Sequence, residues 1–125
     1  MPTPEQMTAA VHAYIDAFDK GDPELAVAIF AVDAVIEDPI GTPPKCGHDA
    51  IREFYQMSMA TGAKLVLDGP VRVGADHAAF AFHVPLHFDG QDMQIHVIDT
   101  FAFDSEGKVK EMRAFFGPSN MIPTG

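Results

Sequence analysis

The chain is short of positive charge. It has 8 Lys and Arg against 18 Asp and Glu, a formal net charge of −10 at pH 7 over 125 residues. A balance this acidic works against following a phosphate backbone or an anionic lipid surface, so neither nucleic acid nor membrane is expected as a partner. The single cysteine, Cys46, excludes an intrachain disulfide and suits a reducing compartment. No apolar run approaches the length of a membrane span. The opening MPTPEQMTAA lacks the basic stretch and apolar segment of a secretory signal. A soluble, cytoplasmic protein is the expectation. Also missing are G-x-S-x-G, G-x-G-x-x-G, the Walker A loop and H-E-x-x-H. His12, His48, His77, His83, His87 and His96 show no metal-ligand spacing, and no motif asks for a metal or an organic cofactor.

What is present suits one domain over residues 1–125, with 47% hydrophobic residues and enough length for one core. Thr3-Pro4-Glu5-Gln6 reads as a capping box with proline at the first helical position. Met7, Val11, Tyr14 and Phe18 then recur on one side until Gly21. Asp22-Pro23-Glu24 restarts a helix expected to reach Phe30. A strand over Ala34–Asp38 follows, then a proline- and glycine-rich loop, Ile40–Gly47. A third helix is expected from His48 to Ala60, with Ile51, Phe54, Tyr55 and Ser58 along one side. The rest alternates as strands. Lys64–Val73 is broken by Gly69-Pro70. Asp76–Phe88 carries Phe80, Phe82, Val84, Leu86 and Phe88 on one face, and its Pro85 implies a bulge or an unpaired edge. Asp89-Gly90 is a hairpin signal leading into the next strand, and Lys108–Phe116 is the last. The tail GPSNMIPTG reads as loop. Helices followed by antiparallel strands make an α+β protein. Long strands predict a curved sheet around the helices, with a pocket at its open end.

Met93–Phe103 (MQIHVIDTFAF) concentrates the functional information. Met93, Ile95, Val97, Phe101 and Phe103 share one face, and Asp99 is the acid among them. A carboxylate there is costly to bury without a partner. Arg72 and Arg113 alternate with apolar neighbours and point away, so no cation is expected beside it. An unpartnered buried carboxyl keeps its proton and becomes a donor. The other reading is a strand-end Asp that reaches solvent or backbone donors. Tyr14 lies on the apolar stripe of the first helix, and Tyr55 on that of the third. Each is an ordinary core tyrosine unless the two meet and one phenol orients the other. Asp38 shares a side with Ile36 and faces inward at a strand mouth, or merely initiates the turn before Pro39. Ala79, Ala81, Ile98, Thr100, Ala102 and Phe115 form a semi-apolar outer sheet face, which predicts a homodimer.

Taken together, Tyr14, Asp38-Pro39 with Gly41–Pro44, Tyr55 and Asp99 resemble the Δ5-3-ketosteroid isomerases of the nuclear transport factor 2-like (SnoaL-like) superfamily. The matching stretches are PEQMTAAVHAYI, FAVDAVIEDPIG, AIREFYQ, AAFAF, VIDTFAF and MRAFFG, spread over nearly the whole chain. The resemblance implies a conical α+β fold, a curved sheet wrapping N-terminal helices. It implies a steroid substrate, no cofactor, and Asp38 as the general base that moves a proton from C4 to C6 of a β,γ-unsaturated ketone. Tyr14 and a neutral Asp99, a known property of these isomerases, would donate to the dienolate oxygen, with Tyr55 supporting Tyr14. Phe54, Phe82, Val84, Phe101, Met112 and Phe116 would line the steroid pocket. Phe30 stands where some relatives have a third tyrosine, and Phe116 where some have tryptophan. Two other readings remain. One is a different small-molecule enzyme such as a SnoaL-like cyclase; the other is a non-catalytic carrier of apolar ligands. The Asp-Tyr-Asp set argues against a dehydratase or an epoxide hydrolase, and a pure carrier has no need of Asp38.

Overall fold

The computed structural model describes residues 1–124. The first helix, α1 (Pro4–Lys20), begins with the expected capping box: Thr3 Oγ1 accepts from Gln6 N at 3.1 Å and Gln6 Oε1 accepts from Thr3 N at 2.8 Å. It ends at Gly21, whose φ of +62° suits the left-handed cap. Met7, Val11, Tyr14, Ala17 and Phe18 are its buried stripe. The second helix, α2 (Pro23–Val27), is shorter than expected. Phe30 is not its last residue but the first of strand β1 (Phe30–Glu37). There Phe30 pairs with Val109 and stacks on Tyr55, ring centroids 5.9 Å apart. Packing against an aromatic core outweighs the helical pattern at that point.

The proline-rich loop contains a short strand, β2 (Lys45–Cys46), that pairs antiparallel with Val35 and Ile36. Helix α3 (Gly47–Ala60) follows, with Ile51, Tyr55 and Met59 buried. The segment broken at Gly69-Pro70 becomes two strands, β3 (Val66–Leu67) and β4 (Arg72–Gly74), both pairing with β5 (His77–Phe88). β5 and β6 (Gln91–Phe103) form a hairpin in continuous register from His77↔Ala102 to Phe88↔Gln91. Its turn places Asp89 and Gly90 at φ +53° and +75°, which the right-handed strand twist favours. No bulge occurs at Pro85. Beyond His83 the β3 side of β5 is an open edge, which accommodates the missing N–H.

Strand β7 (Val109–Phe115) lies between β6 and β1, antiparallel to the first and parallel to the second. The tail is not all loop. After a 3₁₀ turn at Pro118–Asn120, β8 (Met121–Pro123) pairs with Met93–Ile95 of β6. The sheet runs β2-β1-β7-β6-β5-β3 and does not close. The helices cover one face, α3 on β1 and α1 on β5 and β4.

The core is aromatic at its centre. Phe101 is fully buried and meets Tyr14 and Phe80 edge-on at 5.3 and 5.1 Å between centroids. The outer face is largely as expected, with Ile98 and Phe115 about half exposed. Ala102 is the exception. It is buried, flanked by its longer cross-strand neighbours His77 and Glu111. No helix among the described residues is long and apolar enough to cross a membrane.

Two substitutions separate the cap from the core. Phe101→Ala should cost about 3–5 kcal/mol of stability, and Thr3→Ala about 1 kcal/mol, in urea unfolding followed by far-UV circular dichroism. Equal small losses would remove Phe101 from the centre of the core.

Candidate active site

Four polar side chains converge from four elements. Asp99 lies mid-strand in β6, paired with Phe80 of β5 on one side and Ala114 of β7 on the other. Both neighbours hold the backbone, so alternation sends its carboxyl into the interior. It is 1% exposed, and neither Oδ1 nor Oδ2 has a hydrogen-bond partner among the described residues. This decides between the two readings of Asp99: it reaches neither solvent nor backbone donors. Burial, and then the nearby Asp38, raise its pKa well above the usual carboxylate range. Both effects favour the neutral carboxylic acid over the carboxylate, with no neighbour among the described residues to take up its proton.

Tyr14 sits three turns into α1 and Tyr55 two turns into α3, which brings the phenols together. The Tyr55 hydroxyl donates to the Tyr14 oxygen at 3.1 Å, with the rings edge-on. Because the Tyr14 oxygen accepts in this bond, its own proton stays free to donate elsewhere. Burial is the main cause raising both phenols well above their ordinary pKa, so both stay protonated.

Asp38 lies just past the end of β1, not within it as the alternation predicts. It is half-buried, and no hydrogen bond among the described residues ties up its carboxylate. Desolvation pushes its pKa up to about 6, and Lys45 acts against that rise. The two aspartates are therefore poised differently by the same physical cause. Asp99, deeper, keeps its proton; Asp38, shallower, has lost it at pH 7.

These groups surround a cavity of about 250 Å³. Tyr14, Asp38 and Asp99 line it, with Phe54, Phe82, Val84 and Phe116 among its apolar walls. Two residues expected in the pocket are not there. Phe101 and Met112 are fully buried and do not line the cavity. They share the inward face but lie behind Asp99 and Tyr14 in the core. Tyr55 likewise stands behind the wall, in contact with Tyr14 alone among the polar groups. The walls not foreseen are Phe18, Ser58, Ala63, Leu65, Ile95 and Val97. Ile95 and Val97 follow from the period that exposed Asp99, and Phe18 lies one turn beyond Tyr14. Ala63 and Leu65 sit in an irregular stretch with no period to read. The Ser58 hydroxyl donates to the Phe54 carbonyl at 3.0 Å, so it adds no free proton to the cavity.

The chemistry available is narrow. One carboxylate accepts a proton, and two neutral acids donate to whatever oxygen enters between them. That suits a neutral ketone whose oxygen turns anionic when a neighbouring C–H is deprotonated.

Comparison with known proteins agrees in outline. Residues 11–112 match the model of the SnoaL-like domain. A steroid Δ-isomerase of Nocardioides simplex is 39% identical over 120 residues, covering 95% of this chain and 96% of that protein. The solved structure of SalBIII, described as an epoxide hydrolase/cyclase-like enzyme in pyran ring formation in the polyether salinomycin, superposes with a TM-score of 0.88. Its identity is 25%, over 99% of this chain and all of that one.

The neutral state of Asp99 has a signature in stability. Its folded pKa lies above the unfolded value of about 3.9, so the folded state holds the extra proton. Stability contributed this way is present at low pH and is lost as pH rises, by about 1.4 kcal/mol per unit up to the folded pKa. Asp99→Asn removes that slope. In urea unfolding at a series of pH values, the variant should gain on wild type steadily above pH ~5. Parallel curves would mean that Asp99 is ionised in the folded protein.

Proposed function

The chain belongs to the SnoaL-like family, and on that footing we propose that it is a steroid Δ-isomerase acting on 3-oxo-Δ5-steroids. The observation that carries the reading is the buried, unpartnered Asp99 lining one cavity with Tyr14 and Asp38. The substrate's C3 oxygen lies between Tyr14 and Asp99, with Asp38 beside C4. Asp38 takes the C4 proton. The C–H electron pair forms the C3–C4 double bond, and the carbonyl electrons move to the oxygen. The resulting dienolate spans O–C3=C4–C5=C6. Asp38 then returns the proton to C6, the C3 carbonyl re-forms, and the double bond settles between C4 and C5. Atoms and charge balance without a cofactor.

Charge is moved rather than created. One negative charge sits on Asp38 before proton transfer and on the dienolate oxygen after it. The oxygen is then met by donors already in place, at a site where donors act with little screening from water. A cavity of about 250 Å³ takes the reacting end of a fused-ring ketone in its apolar walls. Sites for whole ligands run from roughly 300 Å³ upward, so the far end lies toward the mouth.

SalBIII supports a second reading, a cyclase. On that reading Asp38 of this chain would deprotonate a substrate hydroxyl while Asp99 protonates the oxygen of an epoxide that the hydroxyl opens. The higher identity of the steroid isomerase, 39% against 25%, favours the first.

The protein also pairs as a homodimer through its outer sheet face. Ile98 and Phe115 are cross-strand neighbours there, 49% and 46% exposed, and line a hollow of about 560 Å³ with Ala81, His83 and His96. In sedimentation, wild type should run at twice the chain mass and Phe115→Glu at the chain mass. A monomeric wild type would refute the pairing.

For the reaction, purified protein should convert 5-androstene-3,17-dione with growth of the enone absorbance. Its kcat/KM should rise as Asp38 loses its proton, half-maximal near pH 6. Asp38→Asn should lower turnover by at least roughly 10²–10⁴-fold yet still bind a planar phenolic steroid. Tyr14→Phe or Asp99→Ala alone should cost roughly 10²–10³-fold. Phenol binding without any turnover by wild type would leave a carrier, and wild-type turnover by Asp38→Asn would remove the base.

A further inference from the structure

On the reading that Asp38 is the general base, we propose that Lys45 is a positioning residue whose ammonium keeps the Asp38 carboxylate ionised at neutral pH. The backbone brings them together. In the β1–β2 ladder Lys45 lies directly opposite Ile36, so the two side chains share a face. Ile36 is fully buried, and Asp38 follows it by two residues, just past the end of β1. Lys45 and Asp38 also flank one side chain, Phe54, Asp38 from the cavity and Lys45 from the groove outside it.

The side chain is also held there. Its Nζ lies 5.8 Å from the centre of the Phe54 ring and donates to the Pro43 carbonyl at 3.4 Å. Phe54 is a wall of the catalytic cavity and of the groove outside it, which Lys45 lines together with Pro43, Pro44 and Glu53. Among the described residues, no Lys or Arg lines the cavity itself, and no carboxylate forms a salt bridge with Lys45.

Every other titratable group around Asp38 acts in the opposite sense or is spent. Asp99 from β6 and the Tyr14 and Tyr55 phenols from α1 and α3 can only add negative charge. Glu37 is held by the Gly41 amide at 2.9 Å, and Glu53 stands in the outer groove. Arg113 of β7 lies beside Glu37 in register, but its side chain is exposed and bonds Glu111. Lys45 is thus the cation that opposes the desolvation of Asp38, as the direction of its effect on Asp38 agrees. The consequence for the reaction is a base that works below neutrality while buried enough to be strong.

The test uses Lys45→Met, which keeps the methylene stem over Phe54 and removes the charge, with Lys45→Gln as a second neutral variant and Lys45→Arg as the rescue. The Asp38 carboxyl is titrated directly by carbon-13 NMR, alongside the pH profile of kcat/KM. Loss of the cation should raise the Asp38 midpoint by about one pH unit. It should lower kcat/KM at pH 6 by about fivefold with no loss on the alkaline plateau. Lys45→Arg should restore both. High salt should bring wild type toward Lys45→Met. A midpoint unmoved in both neutral variants, or moved equally in Lys45→Arg, would overturn the proposal. The NMR titration needs no turnover, so a failed isomerase assay with a shifted midpoint would count against the reaction and not against Lys45.

Discussion

Asp99 is buried between two strands with nothing to bond to, and the rest of the site is consistent only with its being neutral. An ionised carboxylate without partners in an apolar core carries a desolvation cost of several kcal/mol. A proton removes most of that cost and leaves an acid, lining the cavity, with a hydrogen to donate. The surroundings preserve this state. Phe80 and Ala114 flank Asp99 in the ladder, and Tyr14, Phe80 and Phe101 form an aromatic cluster at the same place in the core. The penalty falls on folding stability above the ordinary carboxylate range, so this acid is kept at a cost to the fold.

Asp38 and the Tyr14–Tyr55 pair complete a gradient of proton affinity built by depth. Asp38 at the mouth is desolvated in part and ionised at pH 7, while Asp99 and both phenols within are protonated. The direction of the Tyr55 hydrogen bond matters as much as its presence. By donating to Tyr14 it leaves the Tyr14 proton free for another acceptor. In the proposed reaction the helices place a donor and its support, the sheet places an acid, and the turn after β1 places the base, so no single element would carry it.

Much of this was legible in the residue pattern. Strict alternation in Met93–Phe103 located Asp99 and its face, and the lack of an inward Arg or Lys implied its protonation. The capping box, Gly21 and Asp89-Gly90 marked boundaries that the structure reproduces. What failed to show depends on contacts distant in the chain. Phe30 leaves the second helix because Tyr55 and Val109 receive it, and neither is near it in sequence. β2 and β8 are too short to show a period, and exist because Ile36 and Ile95 lie opposite. Alternation tells inward from outward but not cavity from core, so Phe101 and Met112 read as pocket walls. Lys45 was hidden for a related reason. Nothing in IGTPPKCG predicts a strand, and only its pairing with Ile36 puts the lysine beside Phe54 at the edge of the cavity.

Pro85 has a meaning beyond the hairpin that contains it. The run from Val84 to Phe88 has β6 on one side and none of the described strands on the other. Bare strand edges invite another chain to extend the sheet, the first step toward fibrous aggregation. Proline supplies no donor for such an addition, and it stands two residues into the unguarded run. His87 and the exposed Phe88 follow it at the tip, where a template would otherwise be longest. A residue that reads as a flaw in a strand thus acts as a guard, steering encounters between copies away from open-ended polymers.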